Sequence, residues 1–89
     1  MARVVFSSHI TRHVAVADSD VDAATLREAL EAVFARHGAA RGYVLDEQGH
    51  LRKHVAIFID GRRVRERAVL DVPVAHAAEI HVLQALTGG

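Results

Sequence analysis

Between Thr25 and Phe34 the chain carries one long stripe of apolar residues at helical spacing, and that stripe decides what it can fold into. Leu26, Ala29, Leu30, Val33 and Phe34 fall at i, i+3, i+4, i+7 and i+8, while Arg27, Glu28, Glu31 and Arg36 occupy the opposite face. Thr25 followed by Glu28 has the pattern of a capping box, in which the hydroxyl accepts from the Glu28 amide and the Glu28 carboxylate reaches back. Asp22 offers a rival cap about one turn earlier. Gly38, after His37, is the stop signal. One amphipathic helix needs a flat apolar partner, and the other apolar residues read as strands.

Val4-Val5-Phe6 is a short β-branched and aromatic run, and Ser7-Ser8-His9 after it reads as a turn. Val14 and Val16 alternate with Ala15 and Ala17, which predicts a second strand and hence an N-terminal hairpin ended by Asp18-Ser19-Asp20. Tyr43-Val44-Leu45 fits either a short strand or one helical turn, and Asp46-Glu47-Gln48-Gly49 reads as a turn. The strongest strand is His54 to Ile59, with Val55, Ile57 and Ile59 on one face and Ala56 and Phe58 on the other. Asp60-Gly61 favours a tight hairpin into Arg62-Arg63-Val64-Arg65. Pro73 argues against a central strand through residues 70 to 75. A last strand runs from Glu79 to about Gln84. The predicted order of two strands, the helix, and further strands is that of an α+β two-layer domain, a mixed sheet of four to five strands with one main helix on one face.

Composition narrows the function. At 89 residues there is room for one domain, and 51% hydrophobic content excludes a disordered chain. The absence of cysteine excludes a disulfide scaffold, a thiolate zinc site and cysteine catalysis. Eleven Lys and Arg balance eleven Asp and Glu, which argues against a dedicated nucleic-acid binder. No apolar run approaches the ~20 residues of a membrane span, and no signal-peptide pattern opens the chain. The expectation is a soluble, cytoplasmic domain, monomeric on its own.

The most informative motif is the terminal Gly88-Gly89. Termini fray, and glycines there can be mere spacers. The same residues, lacking a Cβ, can also thread a narrow channel and carry a terminal carboxylate to a nucleotide. Seven histidines invite a metal reading, and His9/His13 and His50/His54 have i, i+4 spacing. Both pairs fall across expected turns and strand starts, so no metal site is assigned. Ser7, Ser8 and Thr11 lie near His9 and His13, yet no oriented acid or oxyanion hole accompanies them, and no enzyme activity is expected. The dense basic run is Arg62-Arg63-Val64-Arg65-Glu66-Arg67, either a solvated hairpin or a docking surface for an acidic partner through Arg62, Arg63 and Arg65. No aromatic residues interleave with it to stack on bases.

Taken together, the N-terminal hairpin, the Thr-capped helix, the strand ending in Ile59-Asp60-Gly61 and the final Ala85-Leu86-Thr87-Gly88-Gly89 resemble the ubiquitin-like sulfur carriers. That family includes the small subunit of molybdopterin synthase and the thiamine- and cysteine-biosynthetic carriers. The resemblance covers residues 2 to 89, and the segment Gly49 to Ile59 is similar to the longer carriers. Three departures stand against the molybdopterin branch: His76-Ala77-Ala78-Glu79 where a Gly-Asp turn is usual, Gln84 in place of a proline, and Asp60 in place of an asparagine.

The resemblance implies a β-grasp domain over residues 1–86 and a flexible tail over 87–89. It implies that Gly89 is the point of sulfur attachment, adenylated by an E1-like enzyme and converted to a thiocarboxylate, with Leu86, Thr87 and Gly88 recognised as the tail. ATP would be used by that partner, with no cofactor bound permanently, and the sulfur would pass to an accepting synthase. A protein modifier joined to target lysines through Gly89, and a non-covalent β-grasp adaptor, are the alternatives. Lys53 is the chain's single lysine, which disfavours self-built conjugates of many linkages.

Overall fold

The first and last strands lie side by side and parallel in the middle of one sheet. In the computed structural model, which describes residues 1–84, the elements run β1 (Ala2–Phe6), α1 (Ser8–His13), β2 (Ser19–Val21), α2 (Leu26–Arg36), α3 (Gly38–Val44), β3 (Val55–Ile59), β4 (Arg62–Arg63) and β5 (Glu79–Gln84). The strand order is β2-β1-β5-β3-β4. β1 pairs with β5 in parallel, Val4 opposite Ile80 and Phe6 opposite Val82. The other pairs are antiparallel, with Val55 opposite Gln84 and Ile59 opposite Ile80 between β3 and β5. The mixed five-stranded sheet and its helical layer are the α+β architecture expected. The domain boundary at 86 and the tail 87–89 lie outside the described residues.

Every residue of the helical stripe is buried: Leu26, Ala29, Leu30, Val33 and Phe34 face Val4 and Phe6 of β1, Val21 of β2 and the apolar residues of β3 and β5 in one core. Covering a Leu, Val or Phe side chain is worth about 1.5–3 kcal/mol over leaving it exposed, so this face alone docks the helix. Thr25 caps it, its Oγ accepting from the Glu28 amide at 3.2 Å. The Glu28 carboxylate accepts from the amide of Ala24 at 2.9 Å, one residue beyond the capping-box partner. The next free amides, of Leu26 and Arg27, donate to the carbonyls of Val72 and Leu70. Thus the stretch around Pro73, irregular as expected, terminates the helix from outside.

Two expectations are corrected. The N-terminal hairpin exists, but its second strand is Ser19–Val21, and α1 occupies the place of the expected turn. Ile10 is the reason: a turn would expose it, whereas the helix buries it completely. Val14 and Val16 keep their alternation, half-buried against solvated neighbours, without a ladder. Asp18 accepts from the Phe6 amide at 3.0 Å, joining the start of β2 to the end of β1. The stop falls where expected, yet Gly38 takes no positive φ and is itself helical. The α2 helix ends at His37, whose amide closes on Val33, and Gly38 opens α3, which carries Tyr43 in the helical alternative.

The hairpin at Asp60-Gly61 is as expected. Both residues have positive φ, 49° and 84°, the geometry of a type I′ turn that matches the twist of β3 and β4. Asp60 also accepts from the Glu79 amide at 2.9 Å, tying this turn to the start of β5.

Candidate functional site

The sheet has two functional ends. Gln84, the last residue of β5, stands opposite Val55 at one end; the Asp60-Gly61 turn stands beside Glu79 at the other. Leu86, Thr87, Gly88 and Gly89, the residues expected to be activated and recognised, lie outside the described residues.

Arg62 and Arg63 are β4 itself, and Arg65 follows it; all three are exposed. They line an open depression of about 640 Å³ whose apolar floor includes Val64, Val72 and Pro73. Among the described residues none of the three guanidinium groups has a side-chain hydrogen bond or ion pair. Arg67 does otherwise: it donates to the carbonyls of Val55, at 2.8 Å, and of Arg52. Glu66 also works inward. Its carboxylate accepts from the amides of Leu70 at 2.6 Å and Ala68 at 3.0 Å, and these bonds, Leu70's foremost, hold it below the ordinary glutamate range. The basic run is therefore two things, a structural clasp and three free cations. The free cations sit far from Gln84: Arg62 is four ladder positions, roughly 13 Å, and two strands, roughly 10 Å, away from it.

Close to Gln84 the structure assembles groups that the sequence reading kept apart. His9 and His13 share one face of α1 with ring centroids 5.0 Å apart, so their spacing is helical after all. His13 Nδ1 bonds the His9 carbonyl at 2.8 Å. Its ring lies 6.2 Å from Tyr43, which meets His54 edge-on at 5.2 Å. The Tyr43 hydroxyl donates to the side-chain oxygen of Gln84. Four rings, from α1, α3 and the residue before β3, thus form a row whose third member, Tyr43, is bonded to Gln84. Only the i, i+4 spacing of His9 and His13 hinted at it. His50 lies apart, after the Asp46 turn, as its loop position predicted. Among the described residues no three His, Asp or Glu side chains are grouped to hold a metal ion. Thr11 donates to the Ser8 carbonyl, and the buried Ser7 hydroxyl has no partner among the described residues; neither is joined to a histidine there. No helix among the described residues is long and apolar enough to cross a membrane.

Comparison with known proteins bears on the whole arrangement. The fold is similar to SAMP1 from Haloferax volcanii, at 24% identity and a TM-score of 0.72, over 99% of this chain and 98% of that one. A second structure from that organism, described as small archaeal modifier protein 1, matches at 24% identity and 0.72 over 96% and 97%. A chain of the Amycolatopsis orientalis BexX/CysO complex matches at 19% identity and 0.81, covering both chains completely. No curated protein matches in a sequence comparison. These neighbours show a ubiquitin-like β-grasp fold, the one expected. The ThiS family matches residues 9–89, from the first histidine of the row through the terminal glycines, and the chain belongs to that family.

Proposed function

We propose that this chain is a sulfur carrier that acts through the carboxylate of Gly89. The carboxylate attacks ATP on an E1-like enzyme, pyrophosphate leaves, and an acyl-adenylate forms. A sulfur donor then displaces AMP, leaving a thiocarboxylate. That group hands its sulfur to a synthase in molybdopterin, thiamine or cysteine biosynthesis, and hydrolysis or transfer returns the carboxylate. The chain is a co-substrate in this scheme; ATP and the catalytic groups belong to its partners. The observation that carries the reading is the family match, which runs unbroken to Gly88-Gly89.

The tail supplies the reacting atoms and too little area for selectivity, so a folded surface must share in recognition. Arg62, Arg63 and Arg65 fit a part in it through long-range attraction of an acidic partner, since they are exposed and, among the described residues, unpaired. A complex with a partner protein is on record for one neighbour of this fold, which supports such docking. A second reading, conjugation of Gly89 to target lysines, is favoured by the likeness to a small archaeal modifier protein.

Intact-protein mass spectrometry after incubation with ATP, the source organism's adenylating enzyme and a sulfur donor tests the proposal. Exchange of one oxygen for sulfur is expected. An unchanged mass with a demonstrably active enzyme would sink it and promote the adaptor. Higher-mass adducts to lysine, without a thiocarboxylate, would favour the modifier.

A further inference from the structure

We infer that the ring row His9–His13–Tyr43–His54 is the short-range docking surface for the enzyme that activates Gly89, and that it meets a carboxylate-bearing rim of that enzyme. The inference rests on the carrier reading and adds to it the surface and its chemistry.

Three observations converge. The first is reach: five residues follow Gln84, and five residues span at most ~18 Å, so an enzyme holding the Gly89 carboxylate must come within that distance of Gln84. The row is hydrogen-bonded to Gln84 itself through Tyr43, whereas the free arginines stand at the other end of the sheet. The second is form. The rings come from three elements and touch in sequence, with His9 and His13 exposed and Tyr43 and His54 half-buried. Ring side chains held this way offer large contact area with little rotamer freedom left to lose, as binding hot spots require.

The third is charge. Arg12 and Lys53, both exposed, flank His13 and His54 in sequence and set a positive border to the row. Asp46, which shares a shallow depression with Lys53 and His54, has its carboxylate engaged by the amides of Gln48 and His50. The Nδ1 contact of His13 to the His9 carbonyl makes that nitrogen the donor and leaves Nε2 to face outward contacts. Carboxylates on the partner satisfy the flanking cations, and N–H or O–H donors on the same rim satisfy the outward Nε2 of His13, an acceptor once Nδ1 donates.

The test is ATP–pyrophosphate exchange by the source organism's adenylating enzyme, with KM for the full chain separated from kcat. The double variant His9→Ala/His13→Ala is expected to raise KM about tenfold at unchanged kcat, since a lost docking contact is uniform binding. The rise should persist at high salt, unlike long-range steering. Tyr43→Phe keeps the ring and should raise KM less than the double variant. Circular dichroism and melting of each variant provide the folding control, which the exposure of His9 and His13 favours. Normal exchange with KM of the double variant within about twofold of the unaltered chain would overturn the row alone. Absence of exchange with the unaltered chain would overturn the carrier reading, and the row with it.

Discussion

Glu66 sits in the densest run of arginines in the chain, yet its carboxylate is spent on backbone amides. One of them belongs to Leu70, a fully buried residue at φ 61°, in the left-handed region that side chains disfavour. The carboxylate holds that loop shut, and Arg27 closes it from the other side through the carbonyls of Ala68 and Val69. Because its native pKa lies below the ordinary 4.5, the unfolded chain binds the proton more readily. The stabilisation is therefore complete above about pH 5 and lost as pH falls through the depressed value. Glu66→Gln should lower the urea midpoint at pH 7, and the gap to the unaltered chain should close in acid. Asp46, depressed chiefly by the His50 amide, should behave alike at lower pH. Asp60 makes a sharper case. Asp60→Asn keeps both the turn geometry and an acceptor for Glu79, so its melting should match the unaltered chain. Asp60→Ala, which loses the bond and tolerates positive φ poorly, should cost about 1–2 kcal/mol in denaturant titrations.

At the scale of elements, α2 is the part on which the sheet depends. Phe34 is 5% exposed and closes the apolar stripe, so Phe34→Ala should cost about 3–5 kcal/mol and unfold a large share of molecules at moderate urea. This helix, the strand through Ile57 and the Asp60-Gly61 turn were legible in the sequence because each is set by local period or local backbone demand. The segment after Phe6 was not. Ser-Ser-His has turn chemistry, and only burial of Ile10 against β5, seventy residues away in sequence, makes it a helix. The candidate site divides the same way. Gly88-Gly89 is plain as a pattern, and so is the run of arginines. That Arg67 points to the carbonyls of Arg52 and Val55 while, among the described residues, Arg62, Arg63 and Arg65 stay free depends on how the chain folds back beside β3. The ring row depends on three elements meeting, which no spacing along the chain encodes.

For the whole molecule, fold and reactive end should prove separable. Adding one alanine after Gly89 displaces the carboxylate by up to ~3.6 Å, and misplacement near 1 Å already costs ~10²-fold in a positioned reaction. Adenylation should collapse while the melting curve is unchanged; equal activity in the extended chain would refute threading of the tail. Reversing charge at Arg62, Arg63 and Arg65 together should slow adenylation at low salt, with the difference fading as ionic strength rises. A rate indifferent to salt in both proteins would remove the arginines from recognition. The central place of β5 has a further consequence for how the protein is made. Translation proceeds from the N-terminus, and until Glu79 to Gln84 have left the ribosome the nascent chain holds two unconnected hairpins, β1 with β2 and β3 with β4. Isolated hairpins are marginal in water. β5 is the keystone between them, so a product stalled or released before it stays open to proteases. Every folded copy therefore carries β5, and partners that recognise the closed sheet meet only chains translated past Gln84.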